Sequence, residues 1–197
     1  MQELGYYNGE YGPLSEMKVP MTDRVAVFGD GVYDAAMARN GKIFALPEHI
    51  DRIFNGMAEL KINPPCSKQE MADTLLEMLG KVDESEVFVY WQVTRGTARR
   101  SHTFDPNMES NFWIMIFPDK ADPLDREFSA ITHEDTRFLH CNVKNAELDS
   151  VRAVCAGCKG SGCRRGHPVS VGRLCDGMRP FERAYPEGRR ADHAPGG

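Results

Sequence analysis

The hydrophobic pattern of this chain stops near residue 144, and that break constrains the fold more than any other feature. Before it, apolar residues recur with the periods of helices and strands; beyond it, no period survives. Only the first part therefore holds the material for a core. Composition changes at the same place. Residues 151–197 hold nine of the 18 glycines, four of the six cysteines and no isoleucine, and carry nine Lys and Arg against four Asp and Glu. The whole chain of 197 residues has a net charge of −5, so its organised part is strongly acidic and its tail basic. A basic tail suits nucleic acid, but this one lacks the interleaved aromatics and helical spacing of a binding surface.

Hydrophobic residues at 41% and charged residues at 27% belong to a soluble globular protein. No run of about 18 apolar residues and no charged-then-apolar leader is present, which argues against a membrane span and a secretory signal. Six cysteines without a leader read as thiols of a reducing compartment, and the expected location is cytoplasmic.

Two Asn-Gly pairs, Asn8-Gly9 and Asn40-Gly41, sit between short strand-forming runs, and each predicts a hairpin because both turn positions tolerate positive φ. Ile50, Ile53, Phe54, Met57 and Ala58 fall at i, i+3, i+4, i+7 and i+8, so residues 48–60 are a predicted amphipathic helix. Ser67-Lys68-Gln69-Glu70 is a capping box, followed by Met71, Leu75, Met78, Leu79 and Val82 on one side of a second helix. Residues 87–94 and 112–117 read as buried strands; residues 129–133 and 139–144 are weaker strand candidates. Hairpins dominate and βαβ alternation is absent, so the expectation is α+β, a largely antiparallel sheet with two helices on one face. Residues 151–156 can form a helical turn that the following glycines break, and composition in the tail favours disorder.

No local motif names a reaction: there is no Walker loop, HExxH or G-x-S-x-G. Phe28-Gly29-Asp30-Gly31-Val32-Tyr33-Asp34 is either a loop entering a hairpin or a turn that aims Tyr33 into a site. Residues 94–102 leave a strand and present Arg95, Arg99, Arg100 and His102, which suits a carboxylate or phosphate as well as it suits solvent. Lys144 ends an apolar run and is either an ordinary strand-end lysine or an amine whose pKa is lowered by burial. Cys155, Cys158, Cys163 and His167 mimic a zinc knuckle, but the ligand order departs from it and apolar packing residues are missing, so no metal is expected.

Five ordered blocks then carry a resemblance. They are Gly5-Tyr6-Tyr7-Asn8-Gly9, Phe28-Gly29-Asp30-Gly31-Val32-Tyr33, Glu48-His49-Ile50-Asp51-Arg52, residues 90–97, and residues 134–144, which close on Asn142-Val143-Lys144. In these blocks the chain closely resembles the D-amino acid aminotransferases, class IV enzymes that use pyridoxal 5′-phosphate. The resemblance implies the N-terminal lobe of that fold over residues 1–120 and the start of a second lobe over residues 121–144. It implies that Lys144 carries the cofactor covalently and moves the substrate α-proton, and that Arg52 contacts the cofactor phosphate. Tyr33, Arg100 and His102 match the group that holds the substrate α-carboxylate, the last two reaching across from the partner subunit of a homodimer. The implied substrates are a D-amino acid and a 2-oxo acid. A branched-chain aminotransferase or an aminodeoxychorismate lyase of the same class is the alternative, and a non-enzymatic tail binding zinc or nucleic acid is the rival of another kind.

The resemblance ends at Lys144. Family members continue with a leucine-rich, proline-containing segment and later a Thr-Glu-Cys-Ala-His-Ser-Asn-Val-like motif whose glutamate pairs with the pyridine nitrogen. Back-translating residues 174–186 with permitted codons and reading one nucleotide later yields Cys-Val-Thr-Glu-Cys-Ala-His-Ser-Asn-Val-His-Ile. The same offset after Lys144 yields Thr-Arg-Ser-Leu-Ile-Pro-Ser-Val-Gln-Ser-Ala. The expectation is that residues 145–197 are a frameshifted, disordered tail, that the second lobe is missing, and that the truncated chain is inactive.

Overall fold

The computed structural model describes residues 2–121 and, beyond them, the strand backbones of Ala130–Glu134 and Arg165–Val169. Within residues 2–121 six strands form one sheet: β1 (Leu4–Tyr7), β2 (Glu10–Gly12), β3 (Gly31–Arg39), β4 (Lys42–Ile43), β5 (Glu86–Thr94) and β6 (Asn111–Pro118). Their order is β2-β1-β6-β5-β3-β4, and every pairing is antiparallel. Both Asn-Gly pairs turn as their residue types demand, with φ of 47° and 99° at Asn8 and Gly9 and 49° and 74° at Asn40 and Gly41.

Among the described residues there are three α-helices: α1 (Arg24–Phe28), α2 (Leu46–Leu60) and α3 (Lys68–Leu79). The capping box forms, with the Glu70 amide donating to Ser67 Oγ at 3.2 Å and the Ser67 amide to Glu70 Oε2 at 2.8 Å. Ile50, Ile53 and Met57 of α2 and Met71, Leu75, Met78 and Leu79 of α3 form one buried core with Val32, Ala36, Val89, Trp91, Val93, Ile114 and Ile116 of the sheet. Ala58, expected on the buried stripe, is exposed. Eight positions beyond Ile50 it lies about 80° around the helix, at the stripe's edge.

The expected pair of helices becomes three because α1 is too short to show a period. Its run Arg24-Val25-Ala26-Val27-Phe28 contains no helical signature, and tertiary context makes it helical. Asp23 caps it by accepting from the Val25 amide at 2.9 Å, and Gly29 ends it at φ 63°.

The face of the sheet away from α2 and α3 is also apolar. Tyr33, Met37, Phe88, Tyr90, Trp113, Met115 and Phe117 are each partly buried there. Rings pack along it, stacked at 5.4 Å between centroids for Tyr33 and Tyr90, and tilted at 5.4 Å for Phe88 and Phe117 and at 5.8 Å for Tyr90 and Trp113. Apolar side chains on both faces explain why residues 87–94 read as a nearly continuous apolar run.

A second sheet pairs β7 (Ala130–Glu134) with β8 (Arg165–Val169) in parallel, Ala130 opposite Arg165 and Glu134 opposite Val169. The weak candidate at 129–133 is thus a strand. β8 corrects the reading of the tail as free of strands: a ladder is built from backbone groups and needs no side-chain period. The candidate strand at 139–144 and the candidate turn at 151–156 lie outside the described residues. Among the described residues, no helix is long and apolar enough to cross a membrane, and no group of His, Cys, Asp and Glu is placed to hold a metal ion.

Candidate functional site

Strand alternation puts Asp34 on the helix-facing side of β3, where it is fully buried. Helix α2 crosses above it and presents His49 and Arg52, three residues apart and so on one face. Arg52 donates from Nε to Asp34 Oδ2 at 2.8 Å and from Nη2 to Oδ1 at 2.7 Å. His49 Nδ1 lies 2.9 Å from Oδ1, and the imidazole edge meets the Trp91 ring at 5.8 Å between centroids. Burial pushes the Asp34 carboxyl up, but the hydrogen bonds from Arg52 and His49 together outweigh it and hold the group below the usual carboxylate range. Asp34 in turn makes Arg52 still harder to deprotonate.

The Arg52 side chain keeps 27% of its surface, and Nη1 has no hydrogen-bond partner among the described residues. A fixed guanidinium with one free, accessible nitrogen suits a phosphate oxygen. Arg52 thus offers the donor chemistry that the phosphate of a cofactor would require.

Tyr33, the preceding residue, points to the opposite face. Its ring stacks on Tyr90 with an interplanar angle of 18°. Tyr90 donates its hydroxyl proton to Gln92 Oε1 at 2.6 Å, and burial pushes its phenol pKa up. Gln92 Nε2, Trp91 Nε1 and Trp113 Nε1 are buried donors with no partner among the described residues.

Arg100 and His102 lie on the loop that follows β5. Both flank the Phe28 ring, the Arg100 guanidinium carbon 5.2 Å and the His102 ring 5.6 Å from its centroid. Of the residues expected from the sequence, Arg52 thus reaches Asp34 on one face of β3, Tyr33 stacks on Tyr90 on the other, and Arg100 and His102 meet on Phe28. Lys144 lies outside the described residues. Reading the sequence alone gives Asp34, His49 and Tyr90 no role. A charged Asp34 alternating with Val32 and Ala36 on a strand was a usable signal, because such a carboxylate needs a cationic partner.

The sequence profile of the amino-transferase class IV family matches residues 31–153. The D-alanine aminotransferase of Staphylococcus haemolyticus is 35% identical over 147 residues, which are 73% of this chain and 52% of that protein. The enzyme of the same name from Bacillus licheniformis is 34% identical over 144 residues, 72% of this chain and 51% of that protein. This chain spans about half the length of the curated relatives it matches. Among solved structures, the branched-chain amino acid aminotransferase of Escherichia coli superposes with a TM-score of 0.75 at 14% identity, over 87% of this chain and 60% of that one. The branched-chain aminotransferase of the thermophilic archaeon Thermoproteus uzoniensis, solved with norvaline, gives 0.74 at 13%, over 85% and 60%. Identity that low speaks for fold and not for substrate. The match over residues 31–153 and the shared fold together place this chain in the class IV aminotransferase family, a pyridoxal-phosphate-dependent class of transferases of which it carries the N-terminal part.

Proposed function

We propose that this chain carries the N-terminal part of a D-amino acid aminotransferase, which transfers an amino group between a D-amino acid such as D-alanine and a 2-oxo acid such as 2-oxoglutarate. The observation that carries the reading is the Arg52 guanidinium, locked by Asp34 with one nitrogen free, in a chain 35% identical to a D-alanine aminotransferase. Bound pyridoxal 5′-phosphate would supply the electron sink for the charge left when the α-proton departs. Arg52 holds its phosphate. Lys144 would hold the cofactor and would move the α-proton. Tyr33 supplies a hydroxyl to the substrate carboxylate, and Arg100 and His102 supply its cationic partners in the other subunit of a homodimer. Such a clamp orients the substrate so that one face of Cα meets the lysine.

We further propose that residues 145–197 are the gene read in another frame. Two stretches of family sequence emerge with a single offset, and the relatives' match covers 73% of this chain. Sequencing the gene across the Lys144 codon tests this directly.

The functional test compares D-alanine with L-leucine as amino donors to 2-oxoglutarate, in the 197-residue chain and in a form with the frame restored after Lys144. D-alanine turnover by the restored form, lost in Lys144→Ala, is the expected result. Preference for L-leucine would favour the branched-chain reading, and full activity in Lys144→Ala would overturn the lysine's role.

A further inference from the structure

The loop bearing Arg100 and His102 is stitched to α1 and to the turns on either side of it along its first half. The Arg24 amide donates to the Gly96 carbonyl at 3.0 Å, the Ala98 amide to the Thr22 carbonyl at 3.1 Å, and the Arg95 amide to the Asp30 carbonyl at 3.0 Å. Beneath these backbone bonds lies a nearly buried triad. Asp30 accepts from Arg24 Nε at 2.7 Å through Oδ2, and from Arg95 Nε at 3.0 and 2.9 Å through both oxygens. Each arginine then uses the rest of its fork on backbone. Arg95 donates to the carbonyls of Lys61 and Leu60 at the end of α2, at 2.7 and 2.8 Å, and Arg24 donates from Nη1 to the Ser101 carbonyl at 2.8 Å. The Phe104 ring covers the Arg95 guanidinium at 3.8 Å, and the Phe28 ring covers that of Arg24 at 4.8 Å.

We infer that Asp30, through Arg24 and Arg95, is the positioning residue of this loop. Arg95 ties the root of the loop to the last carbonyls of α2, where a cation also complements the helix dipole. Arg24 ties its midpoint, at Ser101, to the same carboxylate. Phe28 is then held as a common floor for Arg24, Arg100 and His102. A lysine cannot replace either arginine, because several donors in one rigid fork are required. The inference rests on the reading of Arg100 and His102 as the carboxylate clamp, since that is what gives a fixed loop its purpose.

The test uses the 197-residue chain, with Asp30→Asn, Arg24→Lys and Asp30→Glu beside the unaltered protein. Two readouts by NMR report the loop: exchange of the Ala98 amide, and the chemical shift of the His102 ring protons, which the Phe28 ring current displaces. Asp30→Asn and Arg24→Lys are expected to speed Ala98 exchange about tenfold or more and to move the His102 signals toward free histidine, while amides of α3 keep their rates. Asp30→Glu, which keeps the charge, is expected to restore part of both. If Asp30→Asn does not fold, Arg24→Lys carries the test. Unchanged Ala98 exchange and His102 shift in Arg24→Lys, or an acceleration shared equally by α3, would overturn the inference. Neither readout involves amino transfer. Failure of the aminotransferase assay with a loosened loop would therefore remove the clamp alone, and a loop that does not loosen would remove the positioning role alone.

Discussion

Arg52 grips Asp34 through two parallel hydrogen bonds, at 2.8 and 2.7 Å, and so ties the middle of α2 to the middle of β3 across the domain core. The carboxylate has no solvent exposure, and its removal leaves the partly buried Arg52 cation without its partner. Asp34→Ala is expected to cost about 3–5 kcal/mol of folding stability, the usual range for breaking a buried pair from one side. Urea unfolding of the variant beside the parent checks this; a loss below about 1 kcal/mol would mean that water reaches the site.

The same pair sets a pH dependence. The folded-state pKa of Asp34 is depressed, so its contribution is complete above the unfolded carboxyl value of about 3.9 and disappears as pH falls through the folded value. The stability difference between the parent and Asp34→Asn is therefore expected to be constant near neutrality and to shrink below about pH 4. A difference that grew on acidification would contradict the sign.

Two glycines with positive φ separate strain from crowding. Gly9 has φ 99° with nothing within 4 Å of a Cβ placed there, whereas at Gly96, φ 116°, that Cβ would fall 2.0 Å from the Glu109 carbonyl oxygen. Gly9→Ala is expected to cost about 1–3 kcal/mol, from backbone strain alone. Gly96→Ala adds a clash with backbone that cannot swing aside and is expected to cost more. Thermal unfolding of both ranks them, and equal losses would refute the crowding argument.

Adjacent leucines on α3 offer a contrast in packing. Leu75 is fully buried, whereas Leu76 keeps 42% of its surface. Leu75→Ala is expected to cost about 2–5 kcal/mol. Leu76→Ala is expected to cost about 0.5 kcal/mol or less. Chemical denaturation midpoints read the difference directly, and similar losses would place α3 in the wrong rotation about its axis.

The elements that could be read from residues alone are those whose causes are local. The Asn8-Gly9 and Asn40-Gly41 turns, the Ile50-Ile53-Met57 stripe and the Ser67 to Glu70 capping box are each complete within a dozen residues, so propensity and spacing suffice. Arg52 and Tyr33 were visible as candidates inside ordered family blocks, and Arg100 and His102 in the basic loop after one, but their surroundings were not. Helix α1 was missed because five residues are less than one and a half turns and carry no period.

What depended on three-dimensional packing is long-range. β1 lies against β6, pairing Tyr6 with Ile114 across more than a hundred residues, and no local pattern specifies that neighbour. The Asp34 carboxylate acquires its partners only when α2 lands on β3, and Asp30 acquires Arg95 only when the turn after α1 meets the end of β5. A buried charge announces in sequence that a partner must exist, because an isolated one is too costly to bury. Which residue answers is settled by the fold, where desolvation and hydrogen-bond geometry act between groups that the chain itself keeps far apart.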